Sequence, residues 1–242
     1  MSNLLFLLLA AGVPYYILLE KFTSLRSRHI FLLSAFSLLC AVGLTFVLTN
    51  EHRTAFVLVS LVSALYSVYR ATKTTNFYKL GYYLIFVNAP FFMMFEGEGV
   101  FYSLSLLLAL AGIYLIAHFY EKHYGSANYH YITGITLVRP YIATYLSFYL
   151  IALSLYPPFP NSLFFLNYIL GTETNLLWFA VVITLFFSNF YLAMGVMRHT
   201  LFGRPNANIH YVHMTNKEKL PHLLIIALLL VFSVYGLKEI LS

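Results

Sequence analysis

The chain has 242 residues, 61% of them hydrophobic and 9% charged, with a mean hydropathy of +0.80. Soluble domains carry roughly 25% charged residues, so the composition excludes an ordinary soluble enzyme and implies one integral membrane domain over residues 1–242. The formal charge of +6 fits cytoplasmic loops facing anionic lipid, and with no nucleic-acid motif beside it RNA and DNA are excluded as partners.

A helix needs about 20 apolar residues to cross the hydrocarbon layer, and about eight crossings fit, predicting an all-α polytopic bundle. They cover residues 3–20, 30–49, 54–70, 80–95, 99–119, 141–170 with a break, 176–197 and 222–240. The first run, Leu4 to Leu19, lacks a basic leader and a small-x-small cleavage site and ends in Glu20-Lys21. It reads as a first helix rather than a signal peptide.

No Asp, Glu, Lys, Arg or His falls in the middle of a long apolar stretch. The acids Glu20, Glu51, Glu96, Glu98, Glu121, Glu173, Glu218 and Glu239 all stand at the ends of apolar runs or between them. Loops after the odd-numbered crossings hold Lys21, Arg26, Arg28, Arg70, Lys73, Lys79, Lys122, Arg139, Arg198, Arg204, Lys217 and Lys219, leaving only Arg53 and Lys238 opposite. The positive-inside rule then turns both termini outward, in a bacterial or mitochondrial inner membrane. His29, His118, His123, His130, His199, His210, His213 and His222 share the basic side, and only His52 lies outside. Tyr and Phe serve the interfaces and pack a core with few hydrogen-bonding residues. Cys40 is the sole cysteine, which rules out an internal disulfide and a thiolate metal site.

The sixth crossing is interrupted. Tyr141 to Tyr156 is apolar, Pro157-Pro158-Phe159-Pro160-Asn161 follows, and Ser162 to Leu170 resumes. The three prolines remove three amide donors and block helical bonding, which predicts a discontinuous helix with free backbone groups near mid-membrane. Breaks of this kind line ion or substrate paths. An outer loop followed by a short re-entrant piece preserves the charge parity equally well.

Several stretches, in order, resemble the C-terminal part of the antiporter-like membrane subunits of respiratory complex I, a family shared with Mrp antiporters and group 4 hydrogenases. Leu155-Tyr156-Pro157-Pro158-Phe159-Pro160-Asn161 is similar to the family's G-L-P-P-F break, and Phe190-Tyr191 through Arg198 to Leu201-Phe202-Gly203 to the helix that follows it. Upstream, Ala64-Leu65-Tyr66 with Thr75 to Tyr83, Phe119-Tyr120-Glu121-Lys122 with Thr133-Gly134-Ile135, and Ala10-Ala11-Gly12-Val13-Pro14 resemble further family stretches. The resemblance covers nearly the whole chain and is densest from 119 to 204. The family has fourteen crossings in two inverted repeats, so this chain matches its later part, without the first repeat.

In the family, protons pass along a mid-membrane row of a glutamate, two lysines and a terminal charge. The glutamate belongs to the absent repeat. The first lysine falls on Gly12, the second on or near Cys40, the terminal charge on Phe165, and a histidine of the long helix near Ser105. The resemblance therefore implies a relay that has lost its titrating groups. What stays is a polar set, Asn88, Asn161, Asn167 and Asn189, suited to bonding neighbouring helices or holding a few waters.

No haem is expected, since all nine His read as helix ends or loops. His210-Tyr211-Val212-His213 has no acidic or thiolate partner in sequence, so no metal is expected either. Glu121-Lys122-His123 and Lys217-Glu218-Lys219 read as solvated helix ends or as a dock for a peripheral cytoplasmic subunit. No nucleotide, nucleophile-elbow or iron–sulfur motif is present, and no cofactor is implied. Three functions stay open: a shortened structural and coupling subunit beside other membrane subunits of a complex I-like assembly; a transporter passing protons, cations or inorganic carbon along the broken helix; and an unrelated stand-alone membrane protein.

Overall fold

The computed structural model describes residues 2–45, 53–95, 99–171 and 175–241. Glu51, His52, Glu96, Glu98 and Glu173, assigned above to loops, lie outside them. The described chain is helical throughout: α1 (Ser2–Leu9), α2 (Tyr16–Phe22), α3 (Ser27–Leu44), α4 (Arg53–Lys73), α5 (Phe77–Phe95), α6 (Gly99–Tyr124), α7 (Ile135–Val138), α8 (Pro140–Leu153), α9 (Pro160–Gly171), α10 (Leu176–Thr200) and α11 (Asn216–Leu241). Among the described residues there is no strand, only an isolated bridge between Asn76 and Asn128. Helices α3, α4, α6, α10 and α11 are long and apolar enough to cross a membrane, and the chain is a membrane protein.

Helix α5 is the hub. Every residue from Leu80 to Met93 is buried, as a helix apolar on all sides requires, and α3, α4, α6 and α10 pack around it. Pro90 lies inside it and removes one amide donor, the usual source of a kink. The last turns of α4, α6 and α10 carry Arg70 and Lys73, Lys122 and His123, and Arg198 and His199. Cations there complement the partial negative charge at a helix C-terminus. At the other end of α10 the side chain of Asn175 caps the helix by accepting from the Trp178 amide, 2.8 Å.

Two helices are interrupted rather than one. The expected break separates α8 from α9. The first run, read from sequence as a single helix over 3–20, is also split, into α1 and α2. The split has a physical cause: Ala11 takes φ 58°, the Gly12 amide returns to the Leu7 carbonyl at 2.9 Å, and Pro14 follows with no amide to donate.

Candidate functional site

The α8/α9 break is built from ordinary backbone chemistry. The Ser154 amide reaches back to the carbonyls of Leu150 and Ile151, 2.9 and 3.2 Å away, closing α8. Leu155 then takes φ 57°, a left-handed conformation that costs a non-glycine residue about 1–2 kcal/mol. Tyr156, Pro157 and Pro158 form an exposed corner. The chain turns back inward at Phe159, whose carbonyl accepts from the Ser162 and Leu163 amides at 3.1 and 3.2 Å to start α9. Helix α8 meets the first two turns of α11 through side chains, with Lys219 over the Tyr141 ring at 4.1 Å and Tyr145 stacked on His222 at 4.9 Å. Helix α9 packs on the second half of α11, where Phe164 meets Tyr235 at 6.3 Å.

Of the residues singled out there, Asn161 is the outlier. It is fully buried, and neither its amide nitrogen nor its oxygen has a protein partner. Each unpaired buried polar group costs about 1–3 kcal/mol, so this amide is a place where a polar guest would be held. Asn167, two turns on, is only half-buried.

The positions implied as lost relay sites do not come together. Gly12 is buried at the first break, where an added Cβ would sit 3.0 Å from the Leu7 carbonyl oxygen and from Met93 Cε. Cys40 is half-buried on α3, one turn past Ser37, whose hydroxyl donates to the Leu9 carbonyl at 2.8 Å. Phe165 lies on the other side of α5, its ring 5.1 Å from Phe91, which in turn packs on Tyr102 at 4.5 Å. An aromatic cluster occupies that region.

Beside it is a polar knot. Asn88 and Asn189 exchange amide hydrogen bonds of 3.1 and 2.8 Å, Tyr102 donates to Asn88 Oδ1 at 2.6 Å, and Asn88 also donates to the Leu84 carbonyl at 2.7 Å. Every polar atom of Asn88 is used. This is helix-bonding chemistry, and it joins α5, α6 and α10.

Two groups of titrating residues were misread from sequence. His222, read as a helix end, is 2% exposed in the second turn of α11 and hydrogen-bonds the Tyr149 hydroxyl at 2.9 Å. Its neighbours Asn216 to Lys219 are polar, which hid the burial. Glu20, read as the end of the first apolar run, and Arg70, read as a loop cation, form a pair of 2.5 Å. Tyr83 donates to the same carboxylate at 2.9 Å and Tyr82 also donates to it, so α2, α4 and α5 meet on one acid. The two charged triplets also make contacts inside the chain: Glu218 binds Lys122 at 2.7 Å and His123 at 3.0 Å, while Glu121 accepts from the Tyr78 hydroxyl at 2.9 Å. In the loop after α6, burial pushes the Tyr129 phenol up to about 12, so it stays a neutral donor to the Thr74 carbonyl, 2.9 Å away.

Among the described residues no group of three or more His, Cys, Asp or Glu is placed to hold a metal ion. Compared with known protein families and with curated proteins, the chain matches none. The motif resemblance therefore stands on its residues alone.

Proposed function

We propose that this chain is a structural membrane subunit, of about eight crossings with both termini outward, that packs beside active subunits of an ion-translocating, complex I-like assembly. The observation that carries the reading is the filling of the mid-bundle. Where a proton row would need titrating side chains, Phe91, Tyr102 and Phe165 pack together and the two asparagines bond each other. Neutral groups of this kind neither gain nor lose a proton at physiological pH, whereas intramembrane charges mark ion pathways. The eight crossings count α1 with α2 and α8 with α9 as one each, plus α5 and the five long helices.

Mild-detergent purification tests this. The chain is expected to bring other membrane subunits with it, and the purified chain alone to leave a proton gradient across liposomes intact. Proton movement by the chain alone overturns the proposal, and so does recovery without companions.

A second reading rests on the unpartnered amide of Asn161 beside a helix break, an arrangement that transporters use to hold substrates. On that reading, ion flux in the assembled complex falls in Asn161→Ala. On the structural reading it is unchanged.

A further inference from the structure

The last turns of α4 and the Phe187–His199 segment of α10 border an open groove of about 970 Å³ on the bundle surface. Its two ends differ in chemistry. Along most of its length the lining is apolar, with Phe187 and Tyr191 each 64% exposed and Gly195 leaving open space where a side chain would be. At the end near the basic loops the wall turns polar, with Arg198, His199, His130 and Thr72.

Arg198 is exposed and has no hydrogen-bond or ion-pair partner among the described residues. Beside it the ring of His199 is fixed, its Nε2 donating to the His130 carbonyl at 2.9 Å and its face stacked on the His130 ring at 5.5 Å. No carboxylate lines the groove. The described acids near this end of the bundle are engaged elsewhere, Glu20 with Arg70, Glu121 with Tyr78 and Glu218 with Lys122. The exposed cation is therefore free to meet an anion from outside the chain.

Length decides what kind. From Phe187 to Arg198 on α10 is about 16 Å of helix rise, close to half of the hydrocarbon thickness of about 30 Å. That is the depth of one leaflet, with the cation at headgroup level. A partner helix crossing the whole layer would need twice that length of contact, and its contact would not end at a cation.

We infer that the α4/α10 groove binds an anionic phospholipid of the leaflet facing the basic loops, an acyl chain lying along Phe187, Tyr191 and Gly195 and the headgroup phosphate on Arg198. A cation at this level adds enough attraction for anionic over zwitterionic lipid to be measured, about fivefold in affinity.

Native mass spectrometry of the full chain in mild detergent, titrated with phosphatidylglycerol or phosphatidylcholine, tests the site. Wild type is expected to retain phosphatidylglycerol preferentially. Arg198→Gln should lose about fivefold in phosphatidylglycerol affinity and less for phosphatidylcholine, whose choline offsets its phosphate, while Arg204→Gln, a loop change outside the groove, should alter neither. Gly195→Leu fills open space without a clash, so it should fold normally and weaken both lipids. Unchanged phosphatidylglycerol binding in Arg198→Gln or in Gly195→Leu overturns the inference. So does a Gly195→Cys thiol in membranes that cross-links to a partner helix or to a second copy of the chain.

Discussion

Ala11 and Leu155 both hold positive φ, 58° and 57°, where a helix stops and a second one begins inside the bundle. At the first break the freed groups are answered by neighbours: Ser37 on α3 donates to the Leu9 carbonyl, and the Gly12 and Tyr15 amides close on Leu7 and Val13 at 2.9 and 2.8 Å. At the second, the corner Tyr156 to Pro158 is exposed and Asn161 keeps both ends of its amide without a protein partner. A helix can be interrupted as a packing device or as a polar opening. The difference lies in whether an adjacent helix offers a hydroxyl or an amide.

Substitutions at the two sites should separate these roles. The largest effect is expected for Gly12→Leu, which drives a side chain into the Leu7 carbonyl and Met93 and should cost about 3 kcal/mol, at the upper end of overpacking losses. It is read as a lower midpoint in thermal unfolding of the detergent-solubilised chain. If Gly12→Leu unfolds at the wild-type midpoint, the first break is not packed as described. Asn161→Leu should do the opposite, raising stability by about 2 kcal/mol through removal of two unpaired polar groups. A drop in its midpoint would mean that the amide is bonded in the membrane after all.

The left-handed residues give a finer comparison. Leu155→Gly relieves backbone strain of about 1–2 kcal/mol but gives up a buried leucine worth about 1.5–3 kcal/mol, for a net loss of about 1 kcal/mol. Ala11→Gly gains the same relief and forfeits only a methyl, so its midpoint should stay within about 0.5 kcal/mol of wild type. Equal losses at both positions would show that the side chains, not the shared backbone conformation, set the energetics.

The second break was legible in the sequence because three prolines in four residues leave a helix no continuation. The first was hidden in an apolar run with a single proline, and the hydroxyl that meets its freed Leu9 carbonyl comes from Ser37, a residue of a different helix. Asn88 and Asn189 could be picked out as polar residues in apolar runs, yet nothing local says which amide faces which. His222 and the Glu20–Arg70 pair were misread for a related reason. Charge at the end of an apolar run signals an interface, and only the tertiary arrangement reveals that Tyr149, Tyr82 and Tyr83 shelter those groups. The groove between α4 and α10 left no local trace, being a gap between two helices far apart in the chain.

The reciprocal amide pair also sets an order of events. Asn88 and Asn189 are separated by 101 positions, and a chain made from its N-terminus presents α5 to the bilayer well before α10 exists. Until then the Asn88 amide has only Leu84 and Tyr102 to satisfy it. The clasp therefore closes late, with only the α11 contacts still to form, and a ribosome stalled before Asn189 would leave α5 without its latch.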